Sequence, residues 1–194
     1  MAAIQAGQPV ILPTDTVYGL CASPYSGGAA SRIYRLKRRP ETRPLALVAS
    51  DVDMLLELLP ELRGRAGRIV RELLPGPYTL VVPNPGRRYR WLSGSNPGAI
   101  GVRVPSLEGP AATVLARVGA VTATSANLSG EADARRLDEV PDELKDACAA
   151  VVDGGELPGT PSTVVDVTGP RPRVLREGAV SSDEALSRLL TAVC

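Results

Sequence analysis

No histidine occurs among the 194 residues of this chain. Ser-His-Asp and Cys-His catalysis are therefore excluded, and so is every histidine metal site. Phenylalanine is also absent, there is one tryptophan, and aromatics make up 3% of the sequence. Few platforms exist for stacking nucleic-acid bases. Cysteine is scarce: Cys21, Cys148 and Cys194 are odd in number, widely spaced and free of any Cys-x-x-Cys pair. That argues against a disulfide framework and against a thiolate zinc site. No apolar run approaches the ~20 residues of a membrane helix, and no basic-then-apolar leader opens the chain, so a soluble cytoplasmic protein is expected. The formal net charge is only +1, so the surface as a whole is not a trap for polyanions. Lys37 and Lys145 are the only lysines among 22 basic residues. Genomic base composition accounts for the skew, and the position of Lys37 carries the interest. Neither Gly-x-x-x-x-Gly-Lys-Ser/Thr nor Gly-x-Gly-x-x-Gly occurs.

What remains is ordinary for a globular protein, with 44% hydrophobic and 22% charged residues. The length suits a single domain spanning residues 1–194. Eighteen prolines and nineteen glycines sit at the ends of apolar runs and mark frequent turns. Strands are expected at 9–13, 45–49, 78–82, 100–104, 120–123, 149–152, 163–167 and 173–175. Helices are expected at 28–39, stopped by Pro40, from Asp51 or Asp53 through a leucine-rich stretch, and at 65–74, 110–117 and 138–148. Ser181 with Glu184 reads as a capping box before Leu186, Leu189, Leu190 and Val193. Residues 87–97, around Trp91, read as a surface loop. Strands and helices do not alternate strictly, because the last three strands follow one another. The fold class expected is therefore α/β of the α+β type: a mixed twisted β-sheet flanked by helices.

Chemistry concentrates where small polar residues interrupt apolar strands. Asp15 and Thr16 sit in a turn that follows the first strand, where hydrogen bonding of the turn would account for both. Residues 32–43 hold six basic side chains against one acid, Glu41, a pattern that a solvated helix face would also give. Lys37 and Arg39, however, end a helix beside a proline, where an Arg fork and a Lys point charge can clamp a phosphate chain. Ser125 and Asn127 lie two apart after a strand and can face one side of a loop. Arg103 and Arg176 are strand-end cations able to take a carboxylate or another phosphate. Taken together, these residues point to an anionic, phosphorylated small-molecule ligand.

Seven segments in order carry a resemblance: Pro-Thr-Asp-Thr-Val-Tyr-Gly-Leu from Pro13, Lys-x-Arg-Pro from Lys37, Pro-Gly-Pro-Tyr-Thr-Leu from Pro75, Gly-Val-Arg-Val-Pro from Gly101, Thr-Ser-Ala-Asn-x-Ser-Gly from Thr124, Pro-Ser-Thr-Val-Val-Asp from Pro161 and Leu-Arg-Glu-Gly from Leu175. From about Gly7 to Val180 the chain resembles the YrdC-like family of threonylcarbamoyl-AMP synthases. The resemblance implies condensation of L-threonine, bicarbonate or CO2, and ATP into threonylcarbamoyl-adenylate and pyrophosphate. It further implies Mg2+ brought by ATP, a downstream complex that transfers the threonylcarbamoyl group to tRNA, and a YrdC-like sheet around a large concave basic cavity. Direct tRNA contact would be weak.

By that resemblance Lys37, Arg39, Arg43, Ser125, Asn127 and Arg176 bind ATP, with Lys37 and Arg39 catalytic, and Thr16, Arg103 and Ser162 bind threonine. Val48 occupies a place where some relatives carry histidine. Two other functions stay open on the sequence: a carbamoyl-adenylate-forming module of the hydrogenase-maturation type, and a non-catalytic nucleotide- or RNA-binding paralogue.

Overall fold

The structure, a computed structural model, describes residues 1–193 and the side chains of 1–190, so Cys194 and the Val193 side chain lie outside it. The chain runs α1 (Ala2–Gln5), β1 (Val10–Pro13), β2 (Tyr18–Ala22), α2 (Gly27–Leu36), β3 (Ala46–Ala49), α3 (Val52–Leu58), α4 (Gly64–Leu73), β4 (Tyr78–Pro83) and β5 (Ala99–Arg103). It continues through α5 (Gly109–Val118), β6 (Ala120–Ser125), α6 (Asp142–Asp146), β7 (Ala150–Val151), β8 (Thr163–Asp166), β9 (Arg173–Arg176) and α7 (Ser182–Val193), with single 3₁₀ turns at Arg90–Leu92 and Leu137–Glu139.

The strands form one mixed sheet in the order β7-β1-β2-β6-β3-β5-β4-β8-β9. β1/β7, β3/β5 and β4/β8 pair in parallel, and the other neighbours are antiparallel. The mixed α/β sheet expected from the sequence is the one found. Strand periodicity divides its side chains between two faces. Tyr18, Leu20, Leu47, Tyr78, Leu80, Val102 and Val165 pack on one face against Ile33 of α2, Leu55 of α3, Ile69 and Val70 of α4, and Leu189 of α7. On the other face Val10, Leu12, Cys21, Val48 and Val121 pack with Ile4 of α1 and Leu115 of α5, and Ala3, Leu107, Val114, Val118 and Val152 pack against them. Two short elements cannot cover nine strands, and much of that second face stays open.

Four local expectations change. β2 was not expected, because Tyr-Gly-Leu-Cys-Ala neither alternates nor suits a strand at its glycine, yet all five residues are buried. The expected helix over 138–148 is broken at Pro141, leaving the 3₁₀ turn and five residues of α6. β7 lies at the opposite edge of the sheet from β8 and β9, so residues 152–162 form a long crossing rather than a turn. Tyr18 pins that crossing: its hydroxyl donates to Asp153 Oδ1 at 2.9 Å or Gly155 O at 2.8 Å and accepts from Gly154 N at 2.9 Å. At α7 only half of the capping box forms. Ser181 Oγ accepts from Glu184 N, whereas the Glu184 carboxylate pairs with Arg188. Asp51 supplies the α3 cap, accepting from Met54 N at 2.8 Å.

Candidate functional site

Strand register explains why a hollow lies on the open face. Gly19 of β2 stands opposite Ser125 of β6. Farther along the strands, Cys21, Ala123, Ala46, Gly101 and Val81 follow one another across five neighbouring strands. Beyond them Val121, Val48 and Arg103 form a third row. The middle row is built largely of glycine and alanine, so no side chain fills the space above it. The result is a cavity of about 480 Å³ whose floor includes Leu12, Cys21, Ala46, Val48, Gly101, Val121 and Ala123. Its polar lining comes from Thr14, Arg39, Thr79, Arg103, Ser125, Asp133, Ser162 and Arg176, together with Ser93, Ser95 and Asn96 of the 87–97 loop.

Arg39 reaches the cavity because α2 ends in a left-handed turn. Arg38 has φ 51°, Arg38 N donates to Arg35 O, and Arg39 N donates to Tyr34 O at 2.8 Å. This is a Schellman ending with arginine where glycine is usual. The turn sends the residues on either side of Arg38 into different surroundings. Lys37, only 2% exposed, does not line the cavity. Its Nζ donates to Ser125 O (2.5 Å), Asn127 O (2.7 Å) and Asn127 Oδ1 (2.8 Å). Burial, and next the Arg39 charge, push the Lys37 pKa down to about 8, against the pull of Asp133 and Glu131. Asn127 is equally engaged: Oδ1 also accepts from Ser125 Oγ at 2.7 Å, and Nδ2 donates to Glu131 O at 2.6 Å. Lys37 and Asn127 together brace the loop from behind, and Ser125 stands in the cavity wall.

Arg39 Nη2 donates to Pro44 O at 3.1 Å, and its Nε is buried without a partner. Burial lowers its pKa, and the charges of Arg43 and Arg176 lower it further. Arg43 itself is exposed and outside the lining. Arg176 Nη2 donates to Ser162 O at 2.8 Å, and Ser162 Oγ shares a 2.8 Å hydrogen bond with Thr79 Oγ1. Arg103 forms an ion pair with Asp15 and donates to Thr16 Oγ1 at 2.7 Å. Thr16 is 1% exposed and stands behind the wall. Cys21 lines the floor, but burial pushes its thiol up to about 12, which keeps it protonated.

Of the nine residues singled out in the sequence, the cavity takes in Arg39, Ser125, Arg176, Arg103 and Ser162 directly, while Lys37, Asn127 and Thr16 support its wall and Arg43 remains outside. Sequence reasoning passed over Thr79, Asp133, the serines and asparagine of the 87–97 loop, and the partnership of Asp15. An acid between two threonines at the end of an apolar run was the available signal for Asp15.

The Sua5/YciO/YrdC family model, described as telomere recombination, matches residues 2–178. A putative threonylcarbamoyl-AMP synthase of Mycobacterium tuberculosis is 33% identical over 184 residues, which is 94% of this chain and 84% of that protein. The threonylcarbamoyl-AMP synthase of Pyrococcus abyssi is 32% identical over 182 residues, 93% of this chain and 53% of that protein. A crystal structure of P. abyssi Sua5 complexed with L-threonine superposes with a TM-score of 0.86 at 31% identity, covering 96% of this chain and 55% of that one. The chain thus spans about half the length of the Pyrococcus relative.

Proposed function

We propose, from the premise that this chain belongs to the Sua5/YciO/YrdC family, that it is a threonylcarbamoyl-AMP synthase. The observation that carries the proposal is the convergence of Arg39, Ser125, Arg176, Arg103 and Ser162, from five separate stretches of sequence, on one cavity. The substrates are L-threonine, bicarbonate or CO2, and ATP with its Mg2+. The threonine amine adds to CO2 to give a carbamate. A carbamate oxygen attacks the α-phosphorus of ATP, the bond to the bridging oxygen breaks, and pyrophosphate leaves. No enzyme nucleophile is needed, which suits a chain without histidine, so catalysis is positioning and charge stabilisation.

In this reading Arg39 and Arg176 face the phosphates, and Arg39 Nε is a buried charged donor still without an acceptor. Ser125 adds a hydroxyl, shaped by Lys37 and Asn127 from behind. Lys37 also supplies positive charge close to the phosphates, and Arg43 adds a more distant one. Arg103 and Ser162, with Thr16 behind them, hold threonine. The floor of the site belongs to one nine-stranded sheet, which supports treating the chain as a single domain. The adenylate then passes to a transferase that modifies tRNA, and tRNA contact by this chain is weak and electrostatic.

Mass spectrometry of a reaction containing ATP, bicarbonate and threonine tests the proposal. The threonylcarbamoyl-adenylate mass should appear only when all three are present. Its absence from the complete mixture refutes the activity.

A further inference from the structure

Asp15 lies in the turn between β1 and β2, and Arg103 ends β5, two strands beyond β2's neighbour β6 in the sheet. Their ion pair therefore reaches across the open face. Both side chains are nearly enclosed, at 11% exposure for Arg103 and 10% for Asp15. The second carboxylate oxygen of Asp15 accepts from Ser106 N at 3.0 Å, tying the end of β5 to the same turn. The Nη2 group of Arg103 is occupied by Asp15 and Thr16 Oγ1, whereas its Nε is buried without a partner in a residue that lines the cavity. A buried charged donor without an acceptor is costly, and a ligand oxygen would satisfy it.

We infer that Asp15 is a positioning residue for Arg103, holding the guanidinium so that its free donor meets the carboxylate of the amino-acid substrate. The inference rests on the synthase reading for the identity of that substrate. Charge supports it: Asp15 offsets the Arg103 charge and fixes one end of the guanidinium, while the Nε donor of Arg103 remains available to a carboxylate. A guanidinium gripped at one end loses less freedom on binding than one that must be ordered by its ligand.

The test compares wild type with Asp15→Asn and Asp15→Glu by calorimetric titration with L-threonine and, separately, with ATP, beside pyrophosphate-release kinetics. Asp15→Asn should weaken threonine binding and raise its KM about tenfold, as a modest misplacement of a substrate clamp does. ATP affinity should change less than about twofold on the same reasoning, since no phosphate contact is touched. Asp15→Glu, which restores the charge, should recover part of the threonine affinity. Unchanged threonine affinity in Asp15→Asn overturns the inference, and so does an equal loss for both ligands, which marks a general structural defect. A wild-type protein that binds threonine but releases no pyrophosphate sinks the adenylation reaction instead, and the two dissociation constants still decide the role of Asp15.

Discussion

Lys37 and Arg39 stand two positions apart, and their surroundings predict different phenotypes. Lys37→Met would strip the donors from Ser125 O, Asn127 O and Asn127 Oδ1. Asn127 Oδ1 would keep its bond from Ser125 Oγ, but losing three bonds to a buried charged donor should cost about 3 kcal/mol of stability, read as a lower midpoint in chemical denaturation, and adenylate formation should fall with it. Arg39→Ala should leave the midpoint nearly unchanged, because the one side-chain hydrogen bond of Arg39 among the described residues is exposed, while adenylate formation falls at least ~100-fold, the scale of one lost transition-state donor. Equal stability losses in both variants would contradict the division of labour. The buried ammonium also makes a pH prediction. Its folded pKa, about 8, lies below the unfolded value of 10.5. Between those values the unfolded chain holds more protons, so stability should rise with pH across that window. The denaturation free energy of wild type minus that of Lys37→Met, followed from pH 7 to 10, should therefore increase. At this scale the sequence showed two cations before a proline. It could not show that a left-handed Arg38 turns one inward, since most residues at such a position would be glycine.

Elements decide whether the hollow exists. Gly101 faces it from β5, and a Cβ there would come no closer than 3.7 Å to Thr79 Cγ2. Gly101→Val should consequently fold, with a stability change within about 1 kcal/mol for a β-branched residue in a strand. It should bind threonine and ATP markedly less well, because the floor has risen, and titration calorimetry beside thermal melting separates the two effects. Gly178 behaves oppositely. A Cβ there would lie 2.2 Å from Pro161 O and 2.6 Å from Ser162 C, both backbone atoms. Gly178→Ala should lose about 2 kcal/mol through overpacking, and it should displace the 161–162 segment that Arg176 holds. Most strands and the main helices were readable from apolar runs bounded by Gly and Pro. β2 was not, because a strand buried on both faces shows no alternation. The 138–148 helix failed for a local reason, Pro141, that apolar spacing alone did not weigh.

At the scale of the whole molecule, the motif segments meet because sheet order departs from chain order. β6 inserts between β2 and β3, and β5 sits beside β3 before β4. That interleaving depends on long-range pairing, so the sequence showed which stretches carry polar residues but not which stand face to face. ATP and threonine added together should raise the melting temperature more than either alone, since ligands that bind only the native state stabilise it by mass action. Any tRNA affinity should collapse between low and physiological salt, as expected for a chain of net charge +1 with only 3% aromatic residues. The glycine and alanine row has a broader consequence. A chamber that exists because one layer of side chains is short takes its shape from the sequence of the strands beneath it. Its depth can be altered one methyl group at a time on a rigid backbone, so changes in substrate size can arise without refolding the enzyme.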